Sequence, residues 1–193
     1  MRLVMASANP HKTVEIAEVL VEAMPDVELV ARPSDLGDVA EDGSTLAENA
    51  LIKARFVCSA AGEPAIADDT GLEVDALGGA PGVHSARYAG PQADAGANLA
   101  KLMAALRDVL DPLRTARFRT VVAVVFPDGN EVLANGVVEG HIALTARGDG
   151  GFGYDPVFVP DEAASLTFAQ MPAADKNRIS HRGRALRALV ERL

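Results

Sequence analysis

The sequence predicts an α/β fold built on one mixed β-sheet with helices packed against it. The first observation is a strand, helix and strand pattern over residues 2–31, which predicts a β-α-β opening. The second is a turn signal at residues 127–130 between two β-rich runs, which indicates antiparallel pairing later in the chain. The third is size: 193 residues, of which 49% are hydrophobic and 23% charged, suit one domain with a substantial core. We therefore expect a single domain over residues 1–193.

The first elements follow from local signals. Residues 2–7 form a short apolar run that predicts a buried strand. Asn9 is a suitable N-cap for the helix that follows, and Pro10 fits its first turn. Residues 27–31 predict a second strand. Between them, apolar residues recur at helical spacing until Pro25: Val14, Ala17, Leu20 or Val21, and Met24.

The middle of the chain predicts a helix, two strands and a loop. Residues 45–48, Thr-Leu-Ala-Glu, match a capping box, so we expect a helix to begin there and to stop at Gly62. Residues 65–68 predict a short buried strand that ends in acids, and residues 72–76 predict a separate alternating strand. Residues 78–90 are rich in glycine and proline, which predicts a loop.

The second half of the chain predicts both helices and strands. Residues 148–155 contain four glycines and predict a loop. Ser180 is a suitable cap for a final helix. An amphipathic helix is expected from Leu99, Leu102, Met103, Leu106 and Leu110. Strands are expected at residues 118–126, 131–138 and 141–144.

Charge and composition exclude several classes of protein. The net charge of −9 argues against broad nucleic-acid binding, which depends on neutralising phosphates with Lys and Arg. A small phosphorylated ligand remains compatible, because a few local cations suffice. Cys58 is the only cysteine, so an intrachain disulfide and a Cys-rich zinc site are excluded, and its apolar neighbours predict a buried thiol. With no signal-peptide pattern and no apolar run near the roughly 18 residues that span a bilayer, we expect a cytoplasmic protein without membrane association.

Residues 7–12, Ser-Ala-Asn-Pro-His-Lys, form a candidate phosphate site. They lie between the first strand and the first helix, where open α/β sheets bind ligands. A helix N-terminus presents free N–H groups and a partial positive charge, and Lys12 adds a full charge. A capped helix with a solvated lysine is the alternative interpretation.

Asp68 and Asp69 form a candidate cation site. Adjacent carboxylates at a strand end are costly unless they are solvated or bind a cation. Because neighbouring side chains in a strand point to opposite faces, only one of the pair faces a given site easily. Mg²⁺ takes one or two carboxylates together with phosphate oxygens and water, and Glu41 or Asp42 is a candidate second ligand. An acidic turn is the alternative.

Residues 150–156 form a candidate base-binding loop. Aromatic residues make up only 4% of the chain, so Phe152 and Tyr154 in a glycine-rich loop need an explanation. An aromatic ring flanked by glycines permits a flat base to stack on it. Asp155, held extended before Pro156, suits an acceptor for a base N–H. A tight turn with Phe152 in the core is the alternative.

Several basic residues are candidates for binding an anionic or acceptor-rich ligand. Ser180 as a cap places His181 and Arg182 at a helix N-terminus, where cations oppose the helix dipole. Cations in this unfavourable position indicate a ligand that compensates for them. Lys176, a few residues earlier in the sequence, is a further candidate. Lys53 lies one turn after Asn49 on its helix, where a solvated helix face explains it equally well.

These segments together resemble the inosine triphosphate pyrophosphatase family of house-cleaning purine nucleoside triphosphate pyrophosphatases. Each segment is modest alone, but six in the family's order over residues 7–183 are specific. The matching motifs are Ser7-x-Asn9-x-x-Lys12, Thr45-x-x-Glu48-Asn49-Ala50-x-x-Lys53-Ala54, Ala67-Asp68-Asp69-Thr70-Gly71-Leu72, Pro81-Gly82-x-x-Ser85-Ala86-Arg87-Tyr88, Gly150-Gly151-Phe152-Gly153-Tyr154-Asp155-Pro156 and Ser180-His181-Arg182-Gly183.

The resemblance implies an elongated mixed sheet flanked by helices, two lobes with a central active-site cleft, a Mg²⁺ cofactor and a homodimer. It implies that Asp69 is metal ligand and general base, that Glu41 is a second metal ligand and that Phe152 stacks on the purine. It further implies that the triphosphate is bound by Ser7, Ala8, Asn9, Pro10, His11, Lys12 and Lys53. The implied set around the base and phosphates is Thr70, Gly153, Tyr154, Asp155, Lys176, His181 and Arg182.

The implied activity is hydrolysis of ITP, dITP and XTP to the nucleoside monophosphate and pyrophosphate. Donors such as His181 and Arg182 favour the oxygen at purine position 6 over the amino group of adenine. Guanine shares that oxygen, so its rejection must come from its 2-amino group. Two alternatives remain open: a pyrophosphatase for other modified nucleotides, and a non-catalytic nucleotide-binding module.

Overall fold

The computed structural model describes residues 1–37, 39–92, 94–163 and 165–193. The strands are β1 (Arg2–Met5), β2 (Glu28–Val30), β3 (Ala65–Val74), β4 (Pro81–Gly82), β5 (Thr115–Val125), β6 (Glu131–Ile142) and β7 (Phe158–Pro160). The α-helices are α1 (Pro10–Ala23), α2 (Leu46–Ala61), α3 (Ala95–Ala105), α4 (Ala173–Ile179) and α5 (His181–Val190).

The strands of the described residues form one mixed sheet, as the sequence predicted. Its order is β2-β1-β3-β5-β6-β7, and β4 pairs with β3 at the side. Strand β1 lies parallel to both β2 and β3. The pairs β3 with β4 and β6 with β7 are antiparallel. The β-α-β opening is therefore confirmed.

The chain divides into two compact units. Unit 1 comprises Met1–Asp69, Thr120–Gly136 and His181–Leu193, and unit 2 comprises Thr70–Arg119 and Val137–Ser180. Each unit has apolar clusters of its own. Those of unit 1 include Leu3, Ile16, Leu186, Val4, Ala54 and Ala123. That of unit 2 includes Leu72, Leu102, Phe118, Phe158 and Phe168.

Helix α1 begins as predicted, and its buried face matches the predicted one only at Leu20. The Asn9 side chain accepts hydrogen bonds from the N–H groups of His11 and Lys12, and proline occupies the first turn. The residues that it buries are Ile16, Val19 and Leu20. Val14 and Val21, two of the residues in the predicted stripe, are 56% and 52% exposed. The stripe through residues 16, 19 and 20 has the same 3–4 spacing, so the periodicity identified the helix but only part of its inner face.

Helix α2 has the predicted ends. Thr45 and Glu48 form both bonds of the capping box. Gly62 ends the helix in the left-handed region, with φ of 66°, which glycine adopts without a Cβ penalty. Cys58 is buried, as predicted, and Lys53 is buried too.

Strand β3 corrects the prediction of two separate strands. It runs without interruption from Ala65 to Val74, so Asp68 and Asp69 lie inside the strand and not at its end. Both carboxylates are nevertheless buried. A buried carboxylate can remain within a strand when cations pair with it, and the pairs are described below.

Other differences concern short elements and helix ends. Helix α3 stops at Ala105, and Leu110, predicted on its apolar face, is 70% exposed. The predicted strand at residues 141–144 is not separate, since β6 continues to Ile142. Helix α4 and strand β7 were not predicted, because seven and three residues are too short to show a period. None of the helices in the described part of the chain is long and apolar enough to cross a membrane.

Candidate active site

The structure brings predicted site residues together in two groups, one within each unit. The group in unit 1, here the carboxylate cluster, comprises Lys12, Glu15, Glu41, Asn49, Lys53, Asp68, Asp69 and Arg182. The group in unit 2 surrounds residues 150–155, here the aromatic loop. Thr70 follows Asp69 on β3 and is partly buried.

Asp68 is a buried anion held between two cations. Its Oδ2 lies 3.2 Å from Lys12 Nζ, and Arg182 donates to it from Nε at 3.2 Å and Nη2 at 3.1 Å. Burial alone would raise the pKa of the Asp68 carboxyl, but the charges of Lys12 and Arg182 outweigh burial and hold the pKa well below its usual range. Asp68 is therefore ionised at neutral pH.

Arg182 is held by carboxylates from two elements. Its Nη1 donates to Glu15 on α1, in addition to its bonds with Asp68 on β3. The arginine is 2% exposed. The two carboxylates stabilise a cation in the first turn of α5, where the helix dipole alone would disfavour it. A cation at a helix N-terminus was interpreted from the sequence as the sign of an anionic ligand. In the structure, the carboxylates of Asp68 and Glu15 provide at least part of the compensating negative charge.

Asp69 has a different set of partners from its neighbour. Lys53 Nζ donates to Asp69 Oδ1 at 3.0 Å, and Asn49 Nδ2 donates to Asp69 Oδ2 at 3.2 Å. Burial raises the pKa of Asp69, against the charges of Lys53 and Lys12, and the nearby Glu41 raises it further. Burial would lower the pKa of Lys53, but Asp69, Asp68 and Glu41 outweigh it and raise the pKa, so the ammonium stays charged.

Glu41 shares Lys53 with Asp69. Lys53 Nζ donates to Glu41 Oε2 at 3.1 Å. Asp42, the alternative second ligand, is exposed. One ammonium thus holds two carboxylates from segments 28 residues apart in the sequence, and Glu41 rather than Asp42 is the acid beside Asp69.

The charges of the cluster divide unevenly. Lys12 and Arg182 pair with Asp68, Arg182 also pairs with Glu15, and Lys53 is shared by Asp69 and Glu41. The cluster thus has four carboxylates and three cationic side chains, which sum to one net negative charge. Two carboxylates in a cluster with excess negative charge suit Mg²⁺, which takes few protein ligands and completes its shell with phosphate oxygens and water.

The described residues contain no group of three or more His, Cys, Asp or Glu side chains arranged to hold a metal ion. A site of the two-carboxylate kind does not require such a group, because the substrate supplies further oxygens. The carboxylates of Glu41 and Asp69 therefore fit a Mg²⁺ site in which the protein supplies two ligands and the phosphates supply others.

The candidate phosphate loop, residues 7–12, lies beside this cluster through Lys12. Asn9 caps α1, and its own N–H donates to Ser7 Oγ at 3.2 Å. The cap occupies the N–H groups of His11 and Lys12, so those two amides are already engaged. Ala8, Asn9, Pro10 and His11 are exposed, and Ser7 and Lys12 are partly buried.

Two contributors to this group were missed. Glu15 lies one turn after Lys12 on α1, a spacing that places both on one face, and this was the available signal. Gly136 in β6 is the other: a Cβ there would overlap the backbone of His181 and Ala185 at the start of α5. A glycine inside a strand pattern indicates such a close approach. His181 is 3% exposed.

Asp155 organises the aromatic loop of unit 2. Its Oδ2 accepts the N–H of Phe152 at 2.8 Å and the ammonium of Lys176 at 2.6 Å. Gly151 and Gly153 have φ of 68° and 63°, conformations that favour glycine. A Cβ at Gly151 would also overlap the Asp155 carboxylate. The structure shows that Asp155 fixes the loop itself, whereas its role as an acceptor for a base stays a prediction.

The aromatic rings of the loop have different surroundings. Phe152 is partly buried, and Lys176 Nζ lies 5.0 Å from its ring centroid. Tyr154 is 6% exposed, and its hydroxyl donates to the Ser85 carbonyl at 2.8 Å. Burial raises the pKa of Tyr154, and Tyr88 adds to the shift. Phe152 is thus the more accessible ring of the loop, and Tyr154 is a fixed internal one.

The mixed sheet and the paired carboxylates define an α/β protein with a candidate site for metal and phosphate. A family model described as the Ham1 family matches residues 3–192. The chain belongs to this family, and the resemblance that its motifs indicated is confirmed.

Curated relatives cover the whole chain. It is 49% identical to a dITP/XTP pyrophosphatase of Thioalkalivibrio sulfidiphilus, over 100% of this chain and 98% of that protein. It is 50% identical to a dITP/XTP pyrophosphatase of Mycolicibacterium paratuberculosis, over 99% and 95%. A solved structure of a HAM1 protein from Coxiella burnetii is 40% identical, covers 99% and 97%, and superposes with a TM-score of 0.85.

Proposed function

We propose that this chain hydrolyses dITP, ITP and XTP between the α and β phosphates, releasing the nucleoside monophosphate and pyrophosphate. The observation that carries the proposal is the sharing of Lys53 by Asp69 and Glu41, which brings two buried or partly buried carboxylates to one ammonium. The names of its relatives, dITP/XTP pyrophosphatases at 45–50% identity, support the same substrates.

Asp69 acts as general base in the proposed mechanism. It orients a water and accepts its proton while the oxygen attacks the α phosphorus. The bond from the α phosphorus to the bridging oxygen breaks, and pyrophosphate leaves with that oxygen. Asn49 and Lys53 fix the Asp69 carboxylate, so it needs no reorientation for this step.

Glu41 and Asp69 would hold Mg²⁺, which when bound neutralises the charge that develops on the pyrophosphate. Lys12 and Lys53 bind the phosphates in the same role. Lys12 Nζ pairs with Asp68, yet its side chain remains 18% exposed. An ammonium has three donors, so pairing with one carboxylate leaves donors for a phosphate oxygen. Residues 7–12, of which 8–11 are exposed, complete the triphosphate site.

The base is recognised by stacking and by donors. Phe152 supplies the stacking face, supported by the ammonium of Lys176 near its ring. Lys176 supplies a donor for the oxygen at purine position 6, and Asp155 accepts from a ring N–H; the donor roles of His181 and Arg182 stay predictions of the resemblance. An adenine amino group in that place would set donor against donor, which costs about 1–3 kcal/mol per unpaired group.

The test is pyrophosphate release from ITP, XTP, ATP and GTP, with and without Mg²⁺. We expect ITP and XTP to be hydrolysed tens- to hundreds-fold faster than ATP, because ATP would leave about one or two polar groups unpaired. We expect no turnover without the metal. Equal rates for all four nucleotides would contradict the specificity. Nucleotide binding without turnover would indicate a binding module instead.

The proposal extends to the state of the protein in the cell. We propose that it acts as a homodimer in the cytoplasm, where it removes deaminated purine nucleotides before polymerases use them. Sedimentation of the purified chain at several concentrations measures the first point. A mass of one chain at all concentrations would contradict it.

A further inference from the structure

One motif of the sequence has no role in the proposed mechanism: Pro81-Gly82-x-x-Ser85-Ala86-Arg87-Tyr88. Its glycine and proline content predicts a loop, and the structure fixes this loop by several hydrogen bonds within unit 2. Asn98 on α3 accepts the N–H of Ala89 at 2.7 Å and donates to the Ala86 carbonyl at 3.0 Å. Helix α3 therefore holds one side of the segment.

Ser85 links this segment to two further elements. Its Oγ accepts the N–H of Leu72 on β3 at 2.8 Å and donates to the Gly82 carbonyl at 2.6 Å. Its carbonyl accepts the hydroxyl of Tyr154 at 2.8 Å. Ser85 is 6% exposed and Tyr154 is equally buried, so these bonds form away from water. We call this set of bonds the Ser85 junction.

The positions that the Ser85 junction connects are close in sequence to the proposed site. Leu72 follows Asp69 by three residues on the same continuous strand. Tyr154 follows Phe152 by two residues and directly precedes Asp155. The junction thus joins the strand that carries the proposed base to the loop that carries the proposed stacking ring.

Backbone bonds with Ala169 hold the two ends of the aromatic loop, at Gly150 and Asp155, but its glycines supply no side chains to fix the part between them. Gly151 and Gly153 adopt positive φ, and Gly150 precedes them. Asp155 fixes the N–H of Phe152 from inside the loop. The Tyr154 hydroxyl is the side-chain bond that fixes the loop to Ser85, outside the loop.

We propose that Ser85 and Tyr154 are positioning residues, which hold Phe152 where a purine stacks through the hydrogen bond from Tyr154 to the Ser85 carbonyl. The role of Phe152 in this inference rests on the proposed function. The position of the loop does not depend on the proposed function, and it can be measured without substrate.

The first test uses the absence of tryptophan from the chain. Phe152→Trp makes the loop residue the sole tryptophan, and acrylamide quenching then reports its exposure. In this background we expect Tyr154→Phe to raise the displaced population of the loop about fivefold, as for one net buried hydrogen bond, and quenching to rise with it. Tyr88→Phe changes the chain's only other tyrosine and is the matched control, expected to leave quenching unchanged.

Ser85→Ala is the second variant and removes the Oγ bonds of the junction. It is expected to raise quenching as well, and circular dichroism shows whether it folds. Tyr154→Phe leaves the Ser85 Oγ bonds in place and keeps the test valid if Ser85→Ala does not fold. Unchanged quenching in Tyr154→Phe overturns the inference.

The second test uses Phe152 itself and the kinetics of ITP hydrolysis. Because a positioned ring contributes equally to ground and transition states, Tyr154→Phe should raise KM about fivefold with kcat nearly unchanged. A structural role alone would lower the unfolding midpoint and leave KM unchanged, which overturns the positioning role. A wild-type chain that releases no pyrophosphate refutes the proposed function, whereas quenching still decides whether the Ser85 junction holds the loop.

Discussion

The carboxylate cluster of unit 1 and the aromatic loop of unit 2 are held by different kinds of interaction. In the cluster, side chains on regular elements compensate one another's charge: Lys12 and Arg182 surround Asp68, and Lys53 joins Asp69 to Glu41. In the loop, side chains mainly hold the backbone, as when Asp155 accepts the N–H of Phe152. One ion pair of the loop, Lys176 with Asp155, resembles the pairs of the cluster.

This difference has an energetic consequence. Removing one member of a buried charge pair leaves an uncompensated ion, which costs several kcal/mol. Removing one neutral hydrogen bond from a loop costs about 1 kcal/mol. We therefore expect substitutions in the cluster to have large effects and substitutions at the loop to have small, selective ones.

The largest effect is expected at Asp69. Asp69→Asn keeps the shape of the side chain but removes the proposed base and a metal ligand, so turnover of ITP should fall at least about 10⁴-fold. Pyrophosphate release measures the rate, and circular dichroism measures folding. Asp75→Asn, just beyond the end of the same strand, is the control and should retain turnover. Turnover near the wild-type rate in Asp69→Asn would remove Asp69 from the mechanism.

The second effect concerns stability at Arg182. Arg182→Ala leaves Asp68 and Glu15 without their shared guanidinium, and the free energy of unfolding should fall by about 3–5 kcal/mol. Urea denaturation measures it. Arg178→Ala is the matched control, since Arg178 pairs with Asp175 and its side chain is 73% exposed; its effect should be below about 1 kcal/mol. Equal losses in the two variants would contradict the contrast between buried and exposed pairs.

The sequence predicted most of the fold because its signals were local. The Asn9 cap, the capping box before α2 and the Gly62 stop each depend on a few neighbouring residues. The predictions that were wrong concerned features that depend on contacts between residues distant in sequence. Strand β3 was split in two because Asp68 and Asp69 resemble a solvated turn until Lys12, Lys53 and Arg182 are placed beside them.

The sequence predicted which residues belong to the candidate site, but it did not predict which of their side chains pair with one another. Lys53 was equally well explained as a solvated helix residue, because the acids that accept from it, Glu41 and Asp69, are distant in sequence. Glu15 drew no attention, because a single acid on an amphipathic helix is ordinary. The acids Glu41 and Asp42 were equivalent in sequence, and the fold distinguishes them by placing only Glu41 on Lys53.

The third effect tests that distinction. Glu41→Gln should raise the Mg²⁺ concentration for half-maximal pyrophosphate release by about tenfold or more, because it removes one of two charged ligands. Asp42→Asn changes the neighbouring exposed acid and should leave the requirement unchanged. A shift in Asp42→Asn alone would make Asp42 the ligand and would place the cluster differently from its arrangement around Lys53.

The smallest effect concerns the pH dependence of stability at the aromatic loop. The folded pKa of Tyr154 is raised above the unfolded value of about 10, so its contribution is fully present below pH 10 and is lost as pH rises, because the unfolded chain releases the proton first. Between pH 9 and pH 11 the free energy of unfolding of the wild type should fall by up to about 1.4 kcal/mol more than that of Tyr154→Phe. Urea denaturation of both proteins at pH 9 and pH 11 measures the difference. Parallel losses would show that the Tyr154 hydroxyl is hydrated, and the loop would then lack the buried bond that distinguishes it from the charge-paired cluster.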